Sequence, residues 1–412
     1  MDVDVVIFGG GVAGLWLLDE LIRREFSAVL CEANTLGSGQ TVASQGILHG
    51  GLKYTLQGRM TNSALGIRDM PAVWRDCLAG KRTPDLTGTR IRSPHCYLWR
   101  TESMTSRLGM IGAKFGLRVA PKSLNQNERP EVLSSCPGTV AVLEEPVIAP
   151  DSFIADFASQ HRQHLLKIFM DDGLSFEVSE PGHIHTIKLN APDSEQSLHL
   201  KSRHVVFTAG AGNEKLRERA GLKTPAMQRR PLHMVLLRGN LPELNGHCVD
   251  GRKTRVTITS DVDSQSRRIW QIGGQVSERG VSMDAEQLIA HTRAELMNVI
   301  PGIDFTGAEW ATYRVDRAEG ITRNQRRPET ICVRHEGNTI TAWPTKLVLA
   351  PQLAMTVAEK ISQGCSSTHP LSEQDLFRLN EWSKPGVALP PWEALTNWIT
   401  DAQFSGKDEI AA

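Results

Sequence analysis

The chain has 412 residues, of which 40% are hydrophobic and 22% charged, and its 46 Lys and Arg residues balance 46 Asp and Glu residues. This composition is that of a folded globular protein of about two to three domains, and it argues against a disordered chain. A net charge of zero removes the overall basic surface that a nucleic-acid-binding protein needs, although it leaves room for a local basic pocket.

Cysteine usage and the N-terminus predict the compartment. The seven cysteines are scattered and form no CxxC pair, so the sequence predicts reduced thiols and no metal site. The N-terminus lacks the basic region of a signal peptide, and no stretch reaches the roughly 20 apolar residues of a transmembrane helix. We therefore expect a cytoplasmic protein with no nucleic-acid partner and no transmembrane segment.

A strand, a glycine-rich turn and a helix open the chain. Residues 3–8 form a continuous β-branched run, which is typical of a strand buried on both faces of a parallel sheet. A GxGxxG turn follows, which lets a pyrophosphate approach the backbone and the N-terminus of the next helix. Glu32 ends the next apolar run, near the position of a ribose-binding acid. The residues predicted to bind a dinucleotide here are Gly9, Gly11, Val12, Ala13, Gly14, Glu32 and Ala33.

Two further segments carry a strand followed by a turn of the nucleotide-binding kind. Residues 205–212 repeat the buried strand and glycine turn, and residues 340–347 lead into a third strand–helix junction. Three such returns suit FAD, which needs more contacts than NAD, and Glu32 favours a free 2′-hydroxyl over NADP. The other predicted elements are a loop over 35–52, helices over 63–79, 153–165, 284–299 and 347–361, and strands over 95–99, 140–148, 174–202, 234–237, 255–259 and 270–272.

The predicted fold class is α/β, with a Rossmann-like FAD-binding domain interleaved with an antiparallel-sheet α+β substrate domain. We expect the FAD-binding domain over residues 1–84, 146–214 and 315–365. The substrate domain is expected over residues 85–145 and 215–314. Residues 366–412 are expected to form a tail packed on the body.

Several segments resemble one enzyme family. Residues 43–54 (ASQGILHGGLKY) resemble the flavin-contacting HGGLRY segment of FAD-dependent glycerol-3-phosphate dehydrogenases, which belong to the D-amino-acid oxidase-like superfamily. Residues 230–235 (RPLHMV) resemble the strand that carries an active-site histidine in that family. Tyr313 and Arg314 resemble the part of that family's sequence where an arginine precedes the chain's second return to the nucleotide-binding domain. Residues 320–324 (GITRN) and 345–347 (TKL) resemble its ITRD and GGKLT segments.

The resemblance implies site residues beyond the first turn. It implies further cofactor contacts from Ser44, Gln45, Gly46, Gly50, Ala209, Gly210, Thr345, Lys346 and Leu347. It implies catalytic roles for His49, His233, Arg314 and Lys346. It implies substrate binding by Lys53, Tyr54 and Arg323.

The sequence also departs from that family. Lys53 stands where the family has arginine, so a forked phosphate contact becomes a point charge. Trp343 and Pro344 replace two glycines before Lys346, and the family's long helical C-terminal domain has no counterpart in this chain. Glycerol 3-phosphate is therefore one candidate substrate among several small anions.

We predict an FAD-dependent dehydrogenase or oxidase that transfers a hydride from a small anionic hydroxy compound, such as a glycerol-3-phosphate-like molecule or a 2-hydroxy acid. Lys53, Arg314, Arg323 and Lys346 would supply cations for the anion, and His49 or His233 would supply the base. One alternative is an amine or amino-acid oxidase that forms an imine, and a second is a flavin-binding assembly protein without turnover. The sequence leaves open the electron acceptor (oxygen or a quinone), covalent flavin attachment, peripheral membrane contact and the oligomeric state.

Overall fold

The computed structural model describes residues 1–50, 69–101, 121–251, 253–364, 367 and 370–402. Lys53 and Tyr54 therefore lie outside the described residues. The helices are α1 (Val12–Arg23), α2 (Met70–Leu78), α3 (Pro150–Gln160), α4 (Asn213–Arg219), α5 (Gln275–Arg279), α6 (Ala285–Val299), α7 (Ala350–Gly364), α8 (Glu373–Asn380) and α9 (Pro391–Ala394).

Most of the strands belong to two large sheets. Strands β1 to β10 are Asp2–Phe8, Ala28–Glu32, Ile91–Ser93, Cys96–Trp99, Lys122–Ser123, Val140–Leu143, Val147–Ile148, Leu165–Lys167, Leu174–Glu180 and His183–Asn190. Strands β11 to β19 are Ser197–Phe207, Met227–Gly239, Gly246–Asp250, Lys253–Val262, Arg268–Gly273, Glu309–Gly320, Cys332–Glu336, Thr339–Trp343 and Ile399–Thr400.

The first sheet is the nucleotide-binding sheet that the opening residues predict. Its strand order is β17-β18-β11-β1-β2-β8, and β1, β2, β8, β11 and β18 run parallel. Six of the seven residues of β1 are buried, because helices cover one face of the sheet and the β9–β11 ribbon covers the other. The carboxyl ends of the parallel strands therefore meet along one edge, where ligands bind in open α/β sheets.

The second sheet is mostly antiparallel and follows the order β19-β16-β12-β15-β14-β13-β4-β6-β5. Its longest pairing joins β12 to β16 over twelve register positions, from Met227 opposite Gly320 to Arg238 opposite Glu309. Since β16 extends to Gly320, this sheet runs past residue 314, where the sequence predicts that the substrate domain ends. The α/β fold class with two interleaved sheets is confirmed.

The C-terminal tail contacts both sheets where it is described. Trp382 is buried against the first sheet, and its indole N–H donates to Lys167 O at 2.8 Å. Trp392 is buried beside β12 and β15, and β19 extends the second sheet through β16. Among the described residues, no helix has both the length and the apolar character needed to cross a membrane.

A buried ion pair links the short β3–β7 ribbon to the second sheet. Asp261 of β14 lies between two arginines: Nη1 of Arg90, the residue before β3, is 2.5 Å from one carboxylate oxygen, and Nε of Arg92 in β3 is 2.7 Å from the other. The Arg92 side chain is only 2% exposed, and its guanidinium lies 5.2 Å from the Trp392 ring centroid. Burial lowers the pKa of Arg92, and Asp261 opposes that shift.

We expect Asp261→Asn to lower the free energy of unfolding by about 3–5 kcal/mol, because it leaves the buried Arg92 cation without its anion. The measurement is the midpoint of urea unfolding. Glu177→Gln is the matched control, since Glu177 pairs with Lys188 on the surface and should leave the midpoint unchanged. Equal midpoints for the two variants would contradict this account of the ribbon.

Candidate active site

Two connected cavities lie where the carboxyl edge of the first sheet faces the second sheet. The nucleotide cleft has a volume of about 720 Å³ and is lined by the ends of β1, β2, β11 and β18. The inner chamber has a volume of about 450 Å³ and lies between the loop over residues 40–49 and strands β12, β14 and β16. Val12, Gln40, Thr41, Val315 and Pro344 line both cavities, so one elongated ligand could extend from the cleft into the chamber.

The glycine turn between β1 and α1 requires its glycines for steric reasons. Gly9 has a φ of +107°, and a Cβ there would lie 2.4 Å from the Cα of Ala209. A Cβ on Gly14 would lie 2.0 Å from Gly9 O and 2.7 Å from the Thr208 hydroxyl. The turn is therefore compressed against the end of β11, which leaves its backbone N–H groups at the floor of the cleft.

The remaining cleft residues fit the adenosine half of FAD. Glu32 is buried at the end of β2, where its carboxylate accepts hydrogen bonds from Gly10 N and Asn34 N, both at 2.6 Å. A carboxylate held at this position can accept a ribose hydroxyl. The predicted cofactor residues that line the cleft are Gly9, Gly11, Val12, Ala13, Glu32, Ala33, Ala209 and Gly210.

The loop that forms one wall of the chamber is fixed to the second sheet. The side-chain amide of Gln45 donates to Thr257 O at 3.0 Å and to Gln271 O at 2.8 Å. Gln271 in turn donates from its own amide to Ala43 O at 2.9 Å. Ser44, Gln45 and Gly46 line the chamber as predicted for flavin contacts, and Gly50 lines neither cavity.

A buried lysine closes the other end of the chamber. Thr345 has a φ of +65°, a strained conformation for a non-glycine residue, and its hydroxyl donates to Thr330 O at 2.8 Å. This turn directs Lys346 into the interior, where its Nζ donates to Glu329 O at 2.9 Å. Burial lowers the pKa of Lys346 to about 7, with a further decrease from Arg327. Thr345, Lys346 and Leu347 all line the chamber.

The charged groups of the chamber are mainly cationic. Four of the described lining residues are cations and one is an acid, Glu278 of α5. Arg317 of β16 is three-quarters buried by side-chain area and lies 3.1 Å from the Glu278 carboxylate. The four cations are Lys253, Arg317, Arg327 and Lys346.

Two histidines and a glutamate cluster at the inner wall. His49 lines the chamber, and its Nδ1 lies 3.1 Å from Glu145 Oε2. The other Glu145 oxygen accepts the Gly50 N–H at 2.6 Å. The His247 ring lies 5.3 Å from the His49 ring, and its Nδ1 lies 2.8 Å from the Thr257 hydroxyl. One ligand atom from each of His49, Glu145 and His247 lies within 4.8 Å of the others.

The structure places three predicted site residues away from the chamber. His233 lies on the opposite face of β12 from Leu232 and Met234, which line the chamber, and its Nδ1 lies 3.1 Å from Gly280 O. Burial lowers the pKa of His233. The Arg314 guanidinium donates to Val281 O at 3.0 Å and Met283 O at 2.9 Å, although Arg314 also borders the nucleotide cleft.

Arg323 is exposed in the loop after β16 and lines neither cavity. Of the predicted cation cluster of Lys53, Arg314, Arg323 and Lys346, Lys346 lines the chamber, Arg314 and Arg323 do not, and Lys53 lies outside the described residues. Arg317 and Arg327 line the chamber instead of Arg314 and Arg323. Arg314 and Arg317 are three residues apart on one strand, so their side chains point to opposite faces.

Sequence reasoning missed Arg317, Arg327, Glu145 and His247. Side chains alternate between the two faces of β16, so Arg314 and Arg317 lie on opposite faces. Only the position of the strand in the fold shows which of the two faces the chamber. Glu145 and His247 lie about 100 residues apart in the sequence and contribute to no local motif. No pattern within the sequence could have paired them.

The Rossmann-like sheet carries this glycine turn, and its cleft joins a chamber that lies against the second, antiparallel sheet. This arrangement is that of an FAD-dependent oxidoreductase. The sequence comparison agrees, because the model of the family described as "FAD dependent oxidoreductase" matches residues 4–345. The chain belongs to this family, and FAD is its cofactor. The predicted superfamily, cofactor and enzymatic nature are therefore confirmed.

The chain is 36% identical over 398 residues to the "Probable FAD-dependent oxidoreductase PA4991" of Pseudomonas aeruginosa, over 95% of this chain and 98% of that protein. The crystal structure of that protein matches with a TM-score of 0.78 at 33% identity, over 96% of this chain and 98% of the other. A glycine oxidase of Geobacillus kaustophilus matches with a TM-score of 0.60 at 19% identity, over 88% and 95% of the two chains.

An FAD-bound L-alpha-glycerophosphate oxidase of Mycoplasma pneumoniae matches with a TM-score of 0.56 at 15% identity, over 97% of this chain and 100% of the other. The last two similarities are at the level of the fold alone. Both amine and hydroxy-compound enzymes share this fold, so the glycerol-3-phosphate dehydrogenase resemblance is one of several.

We expect Gly14→Ala to reduce FAD affinity by at least about 100-fold, because the new Cβ would force α1 away from the Gly9 carbonyl. The measurement is the flavin content of the purified protein, followed by titration of the apoprotein with FAD. Gly386→Ala is the control, since a Cβ there meets nothing within 4 Å. Unchanged FAD affinity in Gly14→Ala would contradict the assignment of the cleft.

Proposed function

We propose that this protein oxidises a small anionic hydroxy compound, either a 2-hydroxy acid or a glycerol-3-phosphate-like molecule. The observation that carries the proposal is the charge of the inner chamber, whose described lining has four cations and one carboxylate in a protein with no net charge. A cationic cavity of this kind attracts an anion and holds it by charge-assisted hydrogen bonds.

The chamber has separate groups for the two ends of such a substrate. Arg317 is partly buried, and its guanidinium can form a forked pair with a carboxylate or phosphate. Burial lowers the pKa of Arg317, yet a guanidinium remains charged at neutral pH. His49 lies on the chamber wall beside Glu145 and can bind the substrate hydroxyl there.

The residues that would hold FAD are the glycine turn, Glu32 and the wall from Ser44 to Gly46. Bound there, FAD would supply the oxidant: it would accept the C–H hydrogen with its electron pair as a hydride, the hydroxyl proton would leave to solvent, and a carbonyl compound would result. The protein contributes by orienting the substrate and by excluding water from the reacting carbon.

An amine or amino-acid substrate is the second candidate function. Glu278 lies beside Arg317 in the chamber, so this pair could bind the ammonium and carboxylate groups of one amino acid. The chain also shares its fold with a glycine oxidase. Glu278 is more than half exposed, however, so solvent screens its charge more than it screens the largely buried Arg317 and Lys346.

The test is anaerobic reduction of the FAD-bound protein by each candidate substrate. The readout is bleaching of the flavin absorption bands. We expect 2-hydroxy acids or glycerol 3-phosphate to bleach the flavin, and glycine, sarcosine and D-amino acids to leave it oxidised. Bleaching by the amines alone would overturn the proposal in favour of the second candidate. Bleaching by no compound of the panel would contradict both.

Arg317→Gln tests the anion site within the same assay. We expect about a 10- to 100-fold increase in the substrate concentration needed for half-maximal reduction, because a charged hydrogen-bond pair is lost. Arg378→Gln is the matched control, since Arg378 is exposed on α8 and lines neither cavity. An unchanged half-maximal concentration in Arg317→Gln would show that the anion binds elsewhere.

The pKa of Lys346 predicts how anion binding depends on pH. With a pKa of about 7, Lys346 is charged below that pH and neutral above it. The affinity of an unreactive dianion such as oxalate should therefore fall as the pH rises from about 7 to about 9, because the anion favours the charged form. The measurement is the dissociation constant at each pH, obtained from the perturbed flavin spectrum.

Two variants isolate the contribution of Lys346. Lys346→Met should bind oxalate weakly at every pH, because the site then has no titrating amine. Lys346→Arg should keep its charge, so the decrease in affinity above about pH 7 should disappear. A decrease that persists unchanged in Lys346→Met would assign the titration to another group.

A further inference from the structure

The geometry points to a divalent metal site formed by His49, Glu145 and His247 at the wall of the inner chamber. This inference rests on the proposed function and narrows it, because the metal would select a 2-hydroxy acid. Two histidines and one carboxylate are a donor set that zinc uses at catalytic sites, where a fourth position stays open for water or substrate.

The three side chains come from three separate parts of the chain. His49 lies in the loop that follows the glycine turn, Glu145 follows β6, and His247 lies on β13 of the second sheet. Their ligand atoms nevertheless lie within 4.8 Å of one another. Zinc bonds of about 2.0–2.2 Å would draw these atoms closer by roughly 1 Å, a shift that side-chain rotation can supply.

The surroundings have the hydrogen bonds that orient metal ligands. The Thr257 hydroxyl lies 2.8 Å from His247 Nδ1 and holds that ring nitrogen, so the metal would bind the other ring nitrogen of His247. The Gly50 N–H fixes one oxygen of Glu145 at 2.6 Å and leaves the other facing His49 at 3.1 Å. Ligating histidines and carboxylates are held by second contacts of this kind.

Burial also favours a cation at this cluster. His247 and Glu145 are 2% and 5% exposed, so the carboxylate is largely removed from water. A buried carboxylate is costly unless a cation or several hydrogen bonds compensate its charge. The chamber cations Arg317 and Arg327 contact other parts of the cavity, and the described residues show no Lys or Arg ion pair to Glu145.

The open position would face the substrate. Of the cluster and its partners, His49 and Thr257 line the chamber, whereas Glu145 and His247 lie behind them. A 2-hydroxy acid would bind a metal there through its hydroxyl and one carboxylate oxygen together, which would expand the metal from four-coordinate to five-coordinate. The metal lowers the pKa of the bound hydroxyl, whose proton then leaves to solvent as the hydride is transferred to FAD. Glycerol 3-phosphate lacks the carboxylate needed for this five-membered chelate.

The first test measures binding of zinc alone to the FAD-bound protein after treatment with a chelator. We expect one zinc ion per chain, measured by equilibrium dialysis and elemental analysis, and at least about a 100-fold loss of affinity in Glu145→Gln and His247→Gln. His291→Gln is the matched control, a half-buried histidine of α6 that lines neither cavity. Equal zinc affinity in the wild-type protein and Glu145→Gln would overturn the site.

A milder variant separates loss of zinc binding from loss of the folded structure. Thr257→Val removes only the hydrogen-bond partner of His247, and we expect it to weaken zinc binding about 10- to 100-fold while the flavin content stays unchanged. Flavin content and melting temperature are measured for every variant. Zinc affinity that is unchanged in Thr257→Val and in His247→Gln would exclude His247 as a ligand.

The second test separates this inference from the proposed function. Chelation should slow anaerobic flavin reduction by 2-hydroxy acids at least about 100-fold, and added zinc should restore it. Reduction by a 2-hydroxy acid that is unaffected by chelation would overturn the metal site and leave the proposed function intact. Specific zinc binding without reduction by any anionic substrate would support the site and contradict the proposed function.

Discussion

The active site depends on one close backbone contact, between the turn after β1 and the end of β11. Gly9, Gly14 and Thr208 meet there at distances that exclude any further Cβ. The Thr208 hydroxyl donates to the carbonyl oxygens of Phe8 and Gly9, both at 3.1 Å, and fixes the contact. Because α1 can then begin directly over the sheet edge, its free N–H groups and the carboxylate of Glu32 converge on one cleft.

The chamber depends on a second set of contacts, between the loop after the glycine turn and the second sheet. Gln45 and Gln271 exchange hydrogen bonds with backbone carbonyls across this boundary, so the loop is held by strands more than 200 residues away in the sequence. The cavity for substrate exists only because both sheets contribute walls. The two sheets and the loop between them therefore form the chamber together.

Burial and charge together determine what this chamber can accept. A protein with equal numbers of acidic and basic residues brings four cations to the described lining of one cavity, and two of them, Arg317 and Lys346, are largely buried, so their field is less screened by solvent. The chamber presents Lys346 at one end and the His49–Glu145–His247 cluster at its inner wall.

The fold was largely predictable from the sequence, because its evidence is local. The β-branched run, the GxGxxG turn and Glu32 lie within the first 32 residues. The local conformation of each follows from residues close to it in the sequence. The chamber was predictable only in part. Of the predicted catalytic residues, Lys346 and His49 line the chamber, whereas His233 and Arg314 point away from it.

The sequence by itself therefore determined the class of fold and the cofactor. Tertiary structure alone decided which arginine faces the chamber and which carboxylate joins the two histidines. The physical reason is that a strand pattern fixes only that neighbouring side chains alternate between faces. Which face is buried, and what lies opposite it, depends on the register of strands that are distant in the sequence.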